Sequence, residues 1–295
     1  MRRIATITAL AVLSAGISAV AQAAPAPAAA APAPACPASG YTKPIYGTFG
    51  TNDGFNTAYE IAGPCIPRAL RDAAQAIGMG RNVPLGVKNV STIRFSAEGP
   101  FGALKSAKVG VHISYVVPGI RMEIDGADKA GKPVKETQVF ADGKAWNEAV
   151  NGVDPKPAGV KGTPPDERLA WIKLTPFGAM WSVIEAEGHA TVTTVAGKQV
   201  VTGASPYDGV PVTVTFNDKH QPEHVLVKTK AHRYEASFDG WTDTWEPHYL
   251  VIFPAHMVWT LDGKPYADLK TTEFKSNPYV VFPELAATTT AVASK

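Results

Sequence analysis

Val210 to Asn217 alternates apolar and polar side chains, with Val212, Val214 and Phe216 on one side and Thr213 and Thr215 on the other. A period of two marks a strand with one buried face. Comparable runs, rich in Val, Ile, Thr and aromatics and bounded by Gly, Pro, Asn or Asp, predict strands along most of the chain. They lie at Ser91 to Glu98, Lys108 to Val117, Arg121 to Asp125, Val134 to Ala141, Ala190 to Ala196, Gln199 to Thr202, Val225 to Lys230, His232 to Asp239, Tyr249 to Phe253 and Met257 to Leu261. Two stretches break the period. Ile66, Leu70, Ala73, Ala74 and Ile77 recur at helical spacing, with Pro67 at the start and Gly78 and Gly80 as stops, so Pro67 to Ile77 reads as one amphipathic helix. Pro165 to Glu185 carries Leu169, Ile172, Met180, Val183 and Ile184 behind the acidic pair Asp166-Glu167, and Thr175-Pro176 splits it into two short helices. Strands in series without βαβ alternation argue against a doubly wound parallel sheet. They predict an α+β chain with one large curved antiparallel sheet and its helices on one side.

The first 23 of the 295 residues change the picture of the chain's surroundings. Arg2-Arg3, an apolar run from Ile4 to Val20 and the small-residue site Ala21-Gln22-Ala23 read as an export signal cleaved near Ala23, which implies the periplasm. Ala24 to Gly40 is an Ala/Pro-rich tether, a single β-rich domain is expected over 41–285, and Ala286 to Lys295 reads as a loose tail. Removing Arg2 and Arg3 from the 28 basic residues leaves 26 against 26 acidic, so the exported chain is neutral. A neutral chain lacks the cationic footprint that nucleic acid requires. Beyond the signal no apolar run is long enough to span a membrane.

An exported chain with two cysteines, Cys36 and Cys65, most economically pairs them. Closing a loop of about 30 residues is worth about 3 kcal/mol on chain-entropy grounds. It would pin the N-terminal segment to the start of the first helix.

The search for chemistry returns mostly bland readings. His220-Gln221-Pro222-Glu223-His224 matches H-x-x-E-H, but that zinc motif needs a helix, and here Pro222 sits in the string between two predicted strands. The expectation is no metal and no cofactor. No nucleophile elbow, phosphate loop or dinucleotide fingerprint occurs. His232 and Tyr234, two apart on one predicted strand, and His256 beside a proline bend are the weak acid/base candidates. Each reads more simply as an amphipathic residue at the rim of a half-buried sheet. Trp146, Trp171, Phe177, Trp181, Trp241, Trp245 and Trp259 tell more as a set. Lining the concave side beneath the helices, they would make an apolar cavity for a hydrophobic ligand; packed tightly, they are core.

The order of several phrases resembles a known family. Val90-Ser91-Thr92-Ile93-Arg94-Phe95-Ser96-Ala97-Glu98-Gly99, Asp142-Gly143-Lys144-Ala145-Trp146 and Leu169-Ala170-Trp171-Ile172-Lys173-Leu174-Thr175-Pro176-Phe177-Gly178 come first. Tyr207-Asp208-Gly209-Val210-Pro211-Val212, Tyr234-Glu235-Ala236-Ser237-Phe238-Asp239-Gly240-Trp241 and Ile252-Phe253-Pro254 follow. Over roughly Arg68 to Glu284 this is similar to the β-rich region preceding the metallo-β-lactamase-type domain of some exported bacterial hydrolases. That region in turn resembles the LolA- and LolB-like periplasmic lipoprotein carriers and receptors. The hydrolase's H-x-H-x-D-H zinc motif does not occur here. The resemblance implies an incomplete β-barrel with lid helices over an apolar cavity. It implies a binding or carrier protein for an acyl chain or other lipid-like molecule, with Trp171, Phe177, Trp181 and Trp259 against the ligand. The alternative is a small-molecule enzyme using the same cavity with His/Tyr acid-base residues.

The cysteine pairing makes the first testable statement. Thiol labelling of the denatured, unreduced protein should find no free cysteine, and two free thiols would refute the pairing.

Overall fold

A computed structural model describes residues 36, 39–46, 61–80, 86–150, 154–157, 165–186, 189–280 and 282. The signal at 1–23, most of the tether and the tail at 286–295 lie outside the described residues.

Four two-residue strands come first: β1 (Tyr41–Thr42), β2 (Ile45–Tyr46), β3 (Ile61–Ala62) and β4 (Ile66–Pro67). β1 pairs antiparallel with β4, and β2 with β3. Cys36 and Cys65 are joined in a disulfide with Cα atoms 5.7 Å apart, immediately before β4. The covalent link and the β1–β4 ladder therefore hold the same two stretches together. Helix α1 (Arg68–Ala76) follows and buries Ala69, Leu70, Ala73 and Ala74, the face that the spacing predicts. It stops at Gly78, whose φ of +83° favours glycine; a Cβ there would lie 2.2 Å from the Leu250 carbonyl oxygen.

All the remaining strands join one antiparallel sheet. The first group comprises β5 (Thr92–Phe101), β6 (Leu104–Ser114), β7 (Gly119–Ala127), β8 (Pro133–Ala141), β9 (Lys144–Val150) and β10 (Asp154–Pro157). Helices α2 (Pro165–Lys173) and α3 (Pro176–Ile184) interrupt the strands and break at Pro176 as the sequence predicts. The second group is β11 (Thr191–Val195), β12 (Lys198–Ala204), β13 (Pro211–Phe216), β14 (Pro222–Lys228), β15 (Arg233–Thr242), β16 (Phe253–Leu261) and β17 (Lys264–Ser276). Each group is a meander, and β17 pairs with β5 to join them in the order β10-β9-β8-β7-β6-β5-β17-β16-β15-β14-β13-β12-β11. The sheet is not closed: β10 and β11 are its two edges, and the chain passes from one edge to the other through α2 and α3. With 13 strands in this sheet and only three short helices among the described residues, the class is mostly β.

The helix contacts require the sheet to curl. α2 packs on β7, β8 and β9, while α3 packs on β12, β13 and β14, and the two helices also pack on each other. β8 and β13 are eight places apart in the sheet order. Laid flat, that is about 38 Å at about 4.8 Å per strand. Packed helices sit only about 8–10 Å apart, so both halves must bend toward the same helix pair. The inward rows follow from the register: Phe274, Phe95, Val111 and Met122 stand side by side across β17, β5, β6 and β7, and the row continues into Gln138 and Asn147.

Three strands of the large sheet escape the sequence pattern, as do the two-residue strands β1 to β4. β9 and β10 are short and polar, and β17, the longest of all, alternates Ala267, Leu269 and Thr271 with Asp268, Lys270 and Thr272, so small and polar residues mask its period. The Asp262-Gly263 turn before it, both residues at positive φ, is the hairpin signal that marks it. The strand expected over Tyr249 to Phe253 is corrected: Tyr249 and Leu250 lie in a turn, and β16 runs unbroken from Phe253 through Pro254 to Leu261.

Phe177 lies with its ring parallel to Phe253 and Phe274, at 6.1 and 5.9 Å, and is fully buried. Phe177→Ala should cost about 3–5 kcal/mol in denaturant unfolding. A loss below about 1 kcal/mol would show that the stack is not packed as described.

Candidate functional site

The four aromatic residues expected to touch a ligand all face the concave side, between 0% and 6% exposed. The structure brings two of them together. Trp171 on α2 and Trp259 on β16 both pack against Phe101, at 5.9 and 6.4 Å between ring centroids, and Tyr266 lies 6.2 Å from Trp171. Phe177 belongs to a second group with Phe253, Phe274 and Phe95. Trp181 stands apart: it stacks on Tyr115 at 6.0 Å, donates Nε1–H to the Val90 carbonyl at 2.8 Å and has the Lys88 ammonium 4.9 Å from its ring. Side chains of the chain itself thus occupy much of the concave side.

Polar atoms on that side are few and mostly committed. Tyr115 shares a hydrogen bond with Thr175 Oγ1 at 3.0 Å, and burial pushes its hydroxyl pKa up. Tyr207 donates to the Tyr115 carbonyl at 2.6 Å. Arg168 donates to the Val139 and Trp146 carbonyls and to Asn147 Oδ1, and Lys173, buried at the end of α2, pairs with Asp208. Trp259 Nε1 and Gln138 Oε1 on the inward rows are buried without a hydrogen-bond partner, as are the indole N–H groups of Trp146 and Trp241. Trp259 stands between Ala236 and Ala267 in the register, so its neighbours across the strands are small and apolar. An indole N–H left unpaired in such a place costs about 1–3 kcal/mol.

Of the three acid/base candidates, two come together. Tyr234 is buried on the concave face, and burial, with Glu167 next, pushes its hydroxyl pKa up. His232 lies just before β15, not within it, so strand alternation does not carry it onto the face of Tyr234 and Phe238. Its exposed ring nonetheless meets the Tyr234 ring at 5.9 Å, and its Nδ1 is 2.8 Å from Asp262 Oδ2. Glu167 on α2, whose carboxyl burial pushes upward in pKa, is electrostatically coupled to both. Glu167 escaped the sequence reading because only the crossing of α2 over the sheet relates it to Tyr234, and Asp262 because only the pairing of β15 with β16 sets it beside His232. His256 is elsewhere, on the convex face, with Nε2 2.7 Å from Asp268 and Nδ1 3.2 Å from Asp239.

The H-x-x-E-H string spans a turn and a strand. His220 sits in the turn at φ +60°, while His224 in β14 places Nε2 3.1 Å from Glu235. Among the described residues no group of three or more His, Cys, Asp or Glu side chains is arranged to hold a metal ion. Around the same turn the convex face carries an open groove of about 1000 Å³ that reaches Trp241. No described helix is long and apolar enough to cross a membrane.

The arrangement defines a class by shape: an open antiparallel sheet wrapped on its own helix pair. No protein-family model matches the chain, and no curated protein matches it. Among solved structures it is similar to the crystal structure of LprF from Mycobacterium bovis, at 12% sequence identity and a TM-score of 0.29, over 74% of this chain and 95% of that one. So loose an overlap transfers neither fold nor function.

The His256 geometry makes a pH prediction. Hydrogen bonds to Asp268, then Asp239, raise its pKa above the ordinary histidine value. Its contribution to stability is therefore full below that ordinary value, near 6.5, and is lost as pH rises through the raised one. NMR titration should place His256 above His112, whose pKa burial lowers, and His256→Gln should remove this part of the pH dependence of unfolding. A His256 that titrates at or below the ordinary value would refute it.

Proposed function

We propose that the chain is an exported, periplasmic carrier for a hydrophobic ligand with one hydrogen-bond acceptor, such as a fatty acyl group, held on the concave side of the sheet. The observation that carries this reading is the unpartnered Trp259 indole N–H between Ala236 and Ala267. An apolar chain laid along these alanines gains about 25 cal/mol for each Å² it removes from water. Its acceptor oxygen satisfies the one donor that the fold leaves open there. Access comes through the helix pair, where Pro176 breaks the hydrogen-bond ladder and Thr175 N–H reaches Ile172 O at a long 3.4 Å. A swing about that joint moves Trp171 aside, and ligand replaces the ring contacts it gives up. Export is supported by the signal sequence and by the disulfide, a bond of oxidising compartments.

The second reading, an enzyme in the same fold, has its own observation: Glu167, Tyr234 and the Asp262-oriented His232 converge at the N-terminal end of α2. Three titratable groups of differing environment are what acid/base chemistry uses.

Palmitate titrated into the intact protein should shift tryptophan emission to a saturating end point. Trp259→Phe keeps the ring and removes only the donor, so it should weaken binding about tenfold, as the loss of a charge-assisted hydrogen bond does. Trp181→Ala should reduce the spectral response. An unchanged spectrum at saturating palmitate with folded protein refutes the carrier reading. Equal affinity in Trp259→Phe refutes the role of the N–H.

A further inference from the structure

The groove on the convex face has features that the carrier reading does not use. Its floor is the outward row Thr215, His224 and Ser237, neighbours in register across β13, β14 and β15. All three strands are bonded on both sides, so no peptide can add to this surface as a further strand. A ligand here is recognised by side chains.

Those side chains are held in place. Asn217 Oδ1 accepts from the backbone N–H groups of Lys219 and Gln221 at 2.9 and 3.0 Å, and its Nδ2 donates to Gln221 Oε1 at 3.0 Å. The Gln221 amide is thereby fixed with its own N–H donors left for a ligand. Glu235 takes His224 Nε2, which leaves Nδ1, and the exposed Ser237 hydroxyl stands beside it. Glu223 pairs with Lys198 and Asp218 adjoins Lys219, while Asp239 shares the His256 imidazole with Asp268. The carboxylate left over disfavours a polyanion, and the offset pairs leave little field for a polycation. At one end the part-buried Trp241 lines the groove, so that an aromatic side chain borders the polar floor.

We propose that this groove binds a neutral oligosaccharide. A sugar's hydroxyls both donate and accept, which matches a floor of amide donors, imidazole nitrogen and hydroxyl. Its C–H face is apolar and flat enough to lie on an indole. The groove's volume, about 1000 Å³ and open to solvent, suits a chain of several sugar rings better than a single one. The site lies on the opposite side of the sheet from Trp259, so it stands or falls independently of the carrier reading.

Calorimetric titration of the intact protein with cellohexaose, maltohexaose and chitohexaose tests it. At least one should saturate with millimolar affinity or better, and Trp241→Ala should weaken that binding about tenfold. Ser237→Trp, at an exposed position, should fill the groove and abolish binding even if Trp241→Ala disturbs the fold. The palmitate affinity of Ser237→Trp, read by calorimetry, should equal that of the unaltered chain. Failure of all three saccharides to saturate, or binding unchanged by both substitutions, overturns the proposal.

Discussion

Two buried cations on one short helix hold the open sheet in its curled shape. Arg168 near the start of α2 donates to carbonyls of β8 and β9 and to Asn147, on one half of the sheet. Lys173 at the end of the same helix pairs with Asp208, in the turn between β12 and β13 on the other half. Both side chains are about fully buried, and a buried charge is tolerated only where it is paired and hydrogen-bonded. Flattening the sheet would pull each cation from its partners, so the electrostatic cost of separation opposes uncurling. Burial lowers the Lys173 pKa and the Asp208 partner acts against that lowering, which ties the charge on the lysine to the closeness of the second half.

Everything on the concave side follows from that crossing. The helices bring Trp171 and Phe177 against rings of β5, β16 and β17, and α3 is buried along its whole length. Thr175 is the pivot: it caps α3 through Gly178 N–H at 3.2 Å, bonds Tyr115 across the interior, and sits before the proline that interrupts the ladder. At this joint the Thr175 N–H reaches Ile172 O only at 3.4 Å, while the flanking bonds Leu174 to Ala170 and Ala179 to Thr175 keep ordinary lengths of 3.0 and 2.9 Å. The convex side obeys a different rule. There His224 and His256 stand on outward rows, His224 beside Glu235 and His256 between Asp239 and Asp268.

Much of this could be read directly from the chain. The alternation in Val212, Val214 and Phe216 and the helical spacing of Leu70, Ala73 and Ala74 are local consequences of burial on one face, and each appears where expected. The break at Pro176 is a property of proline's missing N–H and needs no tertiary partner. The Cys36–Cys65 bond is the expectation that two cysteines behind a signal-like stretch raise, and the structure forms it. β17 was not legible, because its buried positions include Ala267, Thr271 and Ser276, residues that carry little hydrophobic signal by themselves.

Sequence alone determined the period of most strands and of the helices, the antiparallel class, the helix joint and the pairing of the cysteines, since these depend on neighbours within a few residues or on counting. Tertiary structure alone decided that β17 meets β5, that Glu167 is coupled to Tyr234, and that Trp259 keeps an unpaired N–H while Trp181 finds the Val90 carbonyl 91 positions away. The physical reason is that hydrogen-bond satisfaction and burial of charge are properties of a closed three-dimensional arrangement. A tryptophan in sequence carries a donor, but only the packed fold settles whether an acceptor lies within reach.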